Sequence, residues 1–354
     1  MLTRNIAPIN IMVADNSLIM RNLFKRALDK EVALELVALV SNGHQAITEI
    51  RKNPKIEVAL LDIEMPLIDG LQAIPILLKE KPKLKIIIVS SLAVAGEQRT
   101  IEALAAGAID YIEKPSNSND LEKFFKELFL KIKIIITDKQ IESSTSFLNI
   151  KKGEIVLRKT PNFFHPEIIA VASSTGGPQA LLELFKRFSQ DYLNQRFIFI
   201  TQHIKKDFVK LLVNSLNSLG NVVSKEAEDG EEVNKGIVYI APADFHLEIK
   251  NKAGKLCIHL SNKAPENFCR PSADPMFRSL TRISNNILAI ILTGIGSDGA
   301  RGGLEIANNN GIVVVQDEET SVVWGMPGSA VSLGICSAIL PLNQIATYVE
   351  KNFL

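Results

Sequence analysis

Residues 9–30 read INIMVADNSLIMRNLFKRALDK, and this stretch fixes the fold of the first part of the chain. It opens with a mainly apolar run of strand length, residues 9–14, which ends on Asp15. After Asn16, apolar residues recur at helical spacing, at Leu18, Met20, Leu23, Phe24 and Leu28. The pattern predicts a buried strand followed directly by an amphipathic helix.

The same alternation continues to about residue 130. Strand-like runs are LELVALV (34–40), VALLDIE (58–64), KIIIVSS (85–91) and IDYIEKP (109–115). Helical patterns are GHQAITEIRKN (43–53), GLQAIPILLKE (70–80), TIEALAAG (100–107) and NDLEKFFKELFLKI (119–132). Because apolar strands separated by helices need cover on both faces, we expect a doubly wound, flavodoxin-like α/β domain over residues 1–133.

A polar, mixed segment then interrupts the rhythm and predicts an interdomain linker over 134–165. A second α/β rhythm fills 166–354, which we expect to be a doubly wound, mostly parallel α/β hydrolase domain. Its strands include EIIAVASS (167–174), RFIFITQ (196–202), GIVYIAP (236–242), NILAIILTG (286–294) and GIVVVQD (311–317).

Composition narrows the class of protein. The chain has 354 residues, too many for one ordinary core, and 46% of them are hydrophobic. A formal net charge of +1 argues against a nucleic-acid binder. Three scattered cysteines, no signal-peptide pattern and apolar runs too short for a bilayer predict a soluble, cytoplasmic protein without direct membrane insertion.

The first domain places chemistry-bearing side chains at its predicted strand ends. They are Asp15 and Asn16, Asp62, Ser90 and Lys114, in chain order. Ligands of open parallel sheets collect at this edge. Oxygen ligands there hold Mg²⁺, a carboxylate attacks a phosphoryl donor, and a hydroxyl and an ammonium meet the phosphoryl oxygens. A single such residue would be an ordinary helix cap, but the set predicts a phospho-acceptor site.

These motifs resemble those of response-regulator receivers. The match lies in LLDIEMPLIDGL (60–71), IIIVSS and DYIEKP. The resemblance implies Asp62 as the phosphorylation site, Ser90 and Lys114 as switch residues, and Asp15, Asp62 and the backbone carbonyl of Glu64 as metal ligands. Asn16 stands where the family usually has a second acid, and its neutral oxygen attracts a divalent cation less strongly.

The second domain opens with a strand, a Gly-containing turn and a helix, ASSTGGPQALLELF. A serine there meets free N–H groups of a helix N-terminus, and Thr175, Gly176 and Gly177 form a loop that a substrate carbonyl approaches closely. The loop also suits an anion site, although no Walker lysine follows. His203 and Asp298 each follow another predicted strand, in the order of a Ser/His/Asp triad.

The same domain resembles the catalytic domain of chemotaxis protein-glutamate methylesterases. The matching motifs are SSTGG, TQH, APADFH, CRPSADPMF, LTGIGSDGA and QDEETSVVWGMP. The resemblance favours Ser174 over Ser173 as nucleophile, with His203 as base and Asp298 as orienter. It also places Ile295 near the oxyanion. Where the family commonly has QHMP, this chain continues from His203 with Ile204, Lys205 and Lys206, and Ser297 stands where Asn is common.

This resemblance implies a phosphorylation-regulated enzyme of chemotaxis adaptation. Its substrates would be glutamate methyl esters on methyl-accepting chemotaxis receptors, with deamidation of receptor glutamines as a second reaction. A chemotaxis histidine kinase would donate the phosphoryl group, Mg²⁺ would serve the receiver, and the esterase would need no cofactor.

Other functions are weighed on the same residues. A hydrolase of small esters or amides would use the same triad on another substrate. The protein could also be a catalytically silent adaptor that binds receptors or sequesters kinase phosphoryl groups. The intact Ser174, His203 and Asp298 argue against this function. A dinucleotide-binding enzyme would carry a GxGxxG motif, which the STGG turn of this chain lacks. Cys269 follows no predicted strand, so we interpret it as structural.

Overall fold

The computed structural model describes residues 7–91, 94–115, 117–137, 156–161 and 163–353. The chain divides into two compact units after Thr137. Among the described residues, no helix combines the length and apolar character needed to cross a membrane.

The first unit is a five-stranded parallel sheet with helices between its strands. The strands are β1 (Ile9–Ala14), β2 (Leu34–Val40), β3 (Val58–Leu61), β4 (Lys85–Ser90) and β5 (Asp110–Glu113). The helices are α1 (Leu18–Leu28), α2 (Gly43–Lys52), α3 (Gly70–Glu80), α4 (Val94–Ala105) and α5 (Leu121–Thr137). The strand order β2-β1-β3-β4-β5 confirms the predicted doubly wound fold.

Local sequence explains where these helices begin. The side chains of Ser17, Asn42 and Asp69 each accept a hydrogen bond from a backbone N–H in the first turn of the helix that follows. Such caps satisfy donors that a helix cannot satisfy internally. Ser17 and Asn42 follow β1 and β2 within three residues, so these two connections at the carboxyl edge are short, whereas Asp69 caps α3 after a longer loop from β3.

The second unit contains a seven-stranded sheet and a separate hairpin. Its strands are β6 (Ile168–Ser173), β7 (Phe197–Gln202), β8 (Val223–Glu226), β9 (Ile237–Ile240), β10 (His246–Lys252), β11 (Lys255–Ser261), β12 (Ile287–Ile291), β13 (Ile312–Gln316) and β14 (Ala338–Leu340). Its helices are α6 (Gly177–Phe185), α7 (Gln190–Asn194), α8 (Lys206–Asn217), α9 (Ala273–Thr281), α10 (Ala300–Asn308), α11 (Gly325–Ser332) and α12 (Leu342–Asn352).

The large sheet runs in the order β14-β13-β12-β6-β7-β9-β8, with every neighbouring pair parallel. Strands β10 and β11 form an antiparallel pair of their own. His246 and Glu248 of β10 are buried, whereas the residues 250–252 at the end of this strand are exposed. The sheet confirms the predicted parallel α/β domain.

Two cores cover the two faces of this sheet. Along β6, Ile169 and Val171 belong to one cluster of buried side chains, whereas Ile168, Ala170 and Ala172 belong to the other. Alternate side chains of a strand point to opposite faces. Strand β6 is therefore buried on both sides, as its continuous apolar sequence predicts.

The structure differs from the sequence prediction near the predicted linker. Helix α5 runs to Thr137, four residues past the predicted end of the first domain, because Ile132 and Ile135 still bury apolar surface. On the other side, Phe164 is buried against Phe353 in the second unit. The middle of the predicted linker, 138–155, and residue 162 lie outside the described residues.

Candidate active site

The pocket of the first unit forms where the strand order reverses. Strands β1 and β3 are neighbours although they are not consecutive, so Asp15 and Asp62 follow adjacent strands. Lys114 Nζ lies 2.9 Å from Asp15 Oδ2 and 2.8 Å from Asp62 Oδ2. Burial lowers the pKa of Lys114, but the charges and hydrogen bonds of Asp62 and Asp15 outweigh this effect and raise it. Lys114 therefore stays a cation within the pocket.

One carboxylate oxygen in this pocket suits a metal ion. Asp15 Oδ2 is buried, and among the described residues its one close partner is the Lys114 ammonium at 2.9 Å. Two buried carboxylates that share one cation fit a Mg²⁺ ligand set. Asn16 is exposed to solvent, and no group of three or more acidic, histidine or cysteine side chains suited to a metal ion occurs among the described residues. Because Asn16 is neutral, the pocket carries less negative charge than a site with two adjacent acidic residues would.

The other predicted receiver residues lie around this pair. The Glu64 N–H donates to Asp62 Oδ1 at 3.3 Å, so its peptide lies against the proposed acceptor. Ser90 is buried, and its hydroxyl donates to the Ser91 carbonyl at 3.4 Å. The Lys114 N–H donates to the Ser90 carbonyl at 2.9 Å. Strand pairing therefore places Ser90 next to Lys114, although no hydrogen bond joins the Ser90 hydroxyl to Asp62.

In the second unit, three adjacent strands carry the predicted triad. Ser174 follows β6, His203 follows β7, and Asp298 lies in the loop after β12; strands β7 and β12 flank β6. The Ser174 N–H donates to the Thr293 carbonyl at 3.0 Å, and the His203 N–H donates to the Ser173 carbonyl at 3.1 Å. The ladders continue past the strand ends and fix Ser174 and His203 at one edge, where the loop after β12 brings Asp298.

His203 and Asp298 are in direct contact. Asp298 Oδ2 lies 2.7 Å from His203 Nε2. Burial lowers the pKa of His203, but hydrogen bonds and charges of Asp298 and Cys269 outweigh this effect and raise it to about 9. A carboxylate that selects the imidazole tautomer and stabilises its cation is the arrangement of a catalytic dyad.

Asp298 is held as an anion by a dense set of donors. Its carboxylate accepts hydrogen bonds from the Asn267 side chain at 2.9 Å and the Ser272 hydroxyl at 2.6 Å. It also accepts from backbone N–H groups, those of Ala273, Asp274 and Gly299. Burial raises its pKa, but His203, Ser272 and Ala273 together lower it below the ordinary value. The N-terminus of α9 therefore stabilises the charge that orients the base.

Gln202 distinguishes the two serines of the turn. The Ser173 hydroxyl is fully buried and donates to Gln202 Oε1 at 2.6 Å. The Gln202 amide donates at 2.9 Å to the carbonyls of both Ser174 and His203. Ser174 is half-buried, and its hydroxyl makes no hydrogen bond within the described part of the chain. Ser173 is therefore committed to structure, and Ser174 is available for chemistry.

Cys269 contacts the proposed base, which the sequence interpretation did not foresee. Its Sγ lies 3.6 Å from His203 Nδ1, the ring nitrogen that does not face Asp298. Ser174 must approach this same nitrogen to transfer its proton. The interpretation of Cys269 as structural depended on the absence of a strand before it, whereas a loop brings it to the site.

Other contacts of the site come from the same loop. They are Asn267, Ser272 and Asp274, and the last accepts a hydrogen bond from Asn267 at 2.8 Å. For Ser272 and Asp274, the signal in the sequence was the motif CRPSADPMF, which carried the family resemblance without assigning them a role, whereas Asn267 lies before this motif.

Two backbone donors remain for a developing oxyanion. Among the described residues, the N–H groups of Gly176 and Ile295 make no hydrogen bond. The Gly177 N–H already donates to the Ser174 carbonyl at 2.8 Å. Thr175 is buried, and its carbonyl accepts from the Thr293 hydroxyl at 2.9 Å. Of the predicted oxyanion loop, Gly176 and Ile295 therefore supply the available donors, while Thr175 and Gly177 shape the turn.

Comparison with known proteins agrees with this division of the chain. Residues 169–349 match the sequence profile described as CheB methylesterase, and residues 11–126 match the profile described as response regulator receiver domain. Curated relatives named protein-glutamate methylesterase/protein-glutamine glutaminase include one from Azospirillum brasilense, 40% identical over 97% of this chain and 92% of its own. A second such relative from Caulobacter vibrioides is 36% identical, over 96% of this chain and 98% of its own.

A solved structure resembles the second unit. The crystal structure of the Thermotoga maritima CheB methylesterase catalytic domain has 36% sequence identity and a TM-score of 0.51, and the match covers 52% of this chain and 98% of that one.

Proposed function

This chain belongs to the CheB methylesterase family, and from that membership we propose that it is a protein-glutamate methylesterase of chemotaxis adaptation. Its substrates are glutamate methyl esters on methyl-accepting chemotaxis receptors, and it acts in the cytoplasm. The observation that carries the proposal is the His203–Asp298 pair at 2.7 Å, at the strand edge that also presents the free hydroxyl of Ser174.

The residues of the site support an acyl-transfer mechanism. Neutral His203 takes the proton of Ser174 as Ser174 Oγ attacks the ester carbonyl. The N–H groups of Gly176 and Ile295 donate to the oxyanion that forms. His203 returns the proton to the departing methoxide, which leaves as methanol. Water then attacks the acyl-enzyme by the same route, which restores Ser174 and the receptor glutamate.

The same intermediate supports a second reaction. A glutamine side chain forms an equivalent tetrahedral adduct with Ser174, and His203 protonates the departing amide nitrogen, which leaves as ammonia in place of methanol. The relatives' name, protein-glutamate methylesterase/protein-glutamine glutaminase, contains both activities. We include deamidation of receptor glutamines in the proposal.

The receiver gives this enzyme a phosphorylation switch. A chemotaxis histidine kinase donates the phosphoryl group to Asp62, and Lys114 and Ser90 contact the phosphoryl oxygens. Asp15, Asp62 and the Glu64 carbonyl would hold Mg²⁺, which supplies positive charge to the phosphoryl group when it is bound. The buried carboxylates of Asp15 and Asp62, which share the Lys114 ammonium, support this ligand set.

Methanol release from methylated receptor tests the proposal. We expect Ser174→Ala to lower the rate by roughly 10⁴-fold or more, because no other group forms the acyl-enzyme. Ser173→Ala and Cys269→Ala are matched controls that remove neighbouring nucleophiles, and each should retain far more activity than Ser174→Ala.

Two results would contradict the assignment. Loss of the acyl-enzyme in Cys269→Ala, with Ser174→Ala active, would move the chemistry to the thiol. No methanol from the wild type, with Asp62 phosphorylated, would favour an adaptor.

A further inference from the structure

A tight turn beside the dyad carries an unexpected side chain. Glu266 and Cys269 exchange two backbone hydrogen bonds, at 2.9 and 3.1 Å, and enclose Asn267 and Phe268. Both enclosed residues have positive φ, 52° and 62°. This combination is typical of a type I′ turn, which favours glycine at its second central position. Phe268 stands there instead.

The side chain of Phe268 is fully exposed to solvent. A large aromatic residue in a left-handed conformation, without any buried apolar surface, contributes nothing to folding that glycine would not provide better. Exposed aromatic residues on rigid supports are instead a common feature of binding surfaces. The conformation and the exposure point independently to a contact with another molecule.

The turn is anchored to the catalytic groups on both sides of Phe268. Asn267 donates to Asp298 at 2.9 Å, and Cys269 Sγ lies 3.6 Å from His203 Nδ1. Glu266 is held by an ion pair with Arg278 at 2.6 Å. Both neighbours of Phe268 contact the dyad, and consecutive Cα atoms are only 3.8 Å apart. Phe268 therefore lies at the rim of the site, and its backbone is held rigidly there.

An acidic cleft lies at the same sheet edge. Its volume is about 380 Å³, and its lining includes the partly exposed Phe245, one basic side chain, Lys206, and four acidic ones, Glu226, Glu228, Asp229 and Asp244. Glu226 and Asp244 form no ion pair with any described residue. The Asp244 N–H donates to the Arg270 carbonyl at 3.3 Å, which links the cleft to the loop that bears Phe268. The surface favours a partner that combines an apolar with a basic side chain.

We propose that Phe268 is a specificity-determining residue for the protein substrate. It receives an apolar side chain of the receptor next to the esterified glutamate, while Glu226 and Asp244 attract a basic residue of the same segment. This inference rests on the proposed function. It states which receptor side chains, besides the esterified glutamate, the enzyme recognises. A small methyl ester reaches Ser174 without touching Phe268.

Full-length wild type, Phe268→Gly, Phe268→Leu and Phe163→Gly provide the test. Methanol release is measured from methylated receptor and from the γ-methyl ester of N-acetylglutamate amide. Phe163 is the matched control, because it is also exposed and has a φ of 59°. Glycine relaxes both turns, so loss of folding cannot explain a lower rate; thermal unfolding checks this point.

We expect Phe268→Gly to lower kcat/KM for the receptor about tenfold, mainly through KM, with the small ester unchanged within about twofold. Phe268→Leu should recover part of the loss, and Phe163→Gly should resemble the wild type on both substrates. The double variant Glu226→Gln/Asp244→Asn should raise KM for the receptor alone, and more so at low ionic strength.

Equal receptor kinetics in wild type and Phe268→Gly would overturn the inference, as would an equal loss on both substrates. An unchanged KM in the double variant would overturn the claim that Glu226 and Asp244 attract a basic residue of the receptor. Wild type that releases no methanol from receptor would overturn the proposed function, and this inference with it.

Discussion

Asp298 controls His203 at the scale of single residues. With its pKa raised to about 9, His203 is mostly protonated at neutral pH and cannot accept the Ser174 proton in that form. The fraction of neutral imidazole therefore increases with pH, and we expect kcat/KM of the wild type to rise between pH 7 and pH 9.

Asp298→Asn tests this control. The substitution removes the charge that raises the pKa of His203, so the apparent pKa should fall toward about 6.5 while kcat drops by about 10⁴-fold. The measurements are the pH dependence of methanol release and an NMR titration of the imidazole. An apparent pKa that stays near 9 in the variant would contradict the role given to Asp298.

Asn16 sets the charge of the receiver pocket at the same scale. Asn16→Asp adds a carboxylate beside Asp15, so we expect Mg²⁺ to bind about tenfold more tightly. Isothermal titration calorimetry on the full chain measures the affinity. Asn22→Asp adds the same charge at another exposed position of this region and is the control. The same gain in both variants would show a general effect of charge rather than a ligand at residue 16.

The turn between β6 and α6 positions the nucleophile at the scale of elements. A Cβ atom at Gly177 would lie 1.9 Å from Gln202 Oε1. Gly177→Ala should therefore displace the amide that joins the Ser174 and His203 carbonyls. We expect a loss of about 1–3 kcal/mol in the free energy of unfolding, and at least a tenfold loss of esterase activity.

Gly254→Ala separates this steric effect from backbone strain. Gly254 has a φ of 85°, but no heavy atom lies within 4 Å of the position that a Cβ atom would occupy there. Its substitution should cost about 1 kcal/mol through strain alone and leave the esterase rate unchanged. Chemical denaturation and methanol release measure the two quantities. Full activity in Gly177→Ala would show that the amide bridge does not position the site.

At the scale of the whole molecule, two units carry two chemistries. Asp62 accepts phosphate in one unit and Ser174 attacks the ester in the other, so regulation requires that the first event changes the rate of the second. Asp62→Asn should keep the unstimulated esterase rate and lose activation by phosphorylated histidine kinase. Asp120→Asn, which changes an exposed acid of the same unit, should keep the activation. Equal activation of wild type and Asp62→Asn would contradict the switch.

Sequence patterns alone predicted the two parallel α/β units and the strand ends that carry Asp15, Asp62, Lys114, Ser174 and His203. Apolar periodicity is a local property, and parallel sheets bring the carboxyl ends of their strands to one edge. Asp298 was predicted from the loop that follows the same kind of strand, β12, which ends at Ile291.

The surroundings of these groups became visible only in the folded chain. Asn267, Cys269 and Ser272 lie far from His203 in sequence, and the irregular loop that carries them has no periodicity to reveal where it folds. The family resemblance favoured Ser174 over Ser173, but the physical difference between the two serines, the hydrogen bond from Ser173 to the Gln202 side chain 29 residues away, became visible only in the folded chain. The surroundings of the predicted groups depend on long-range hydrogen bonds and on burial. Local sequence patterns do not encode these properties, so only the tertiary structure decided them.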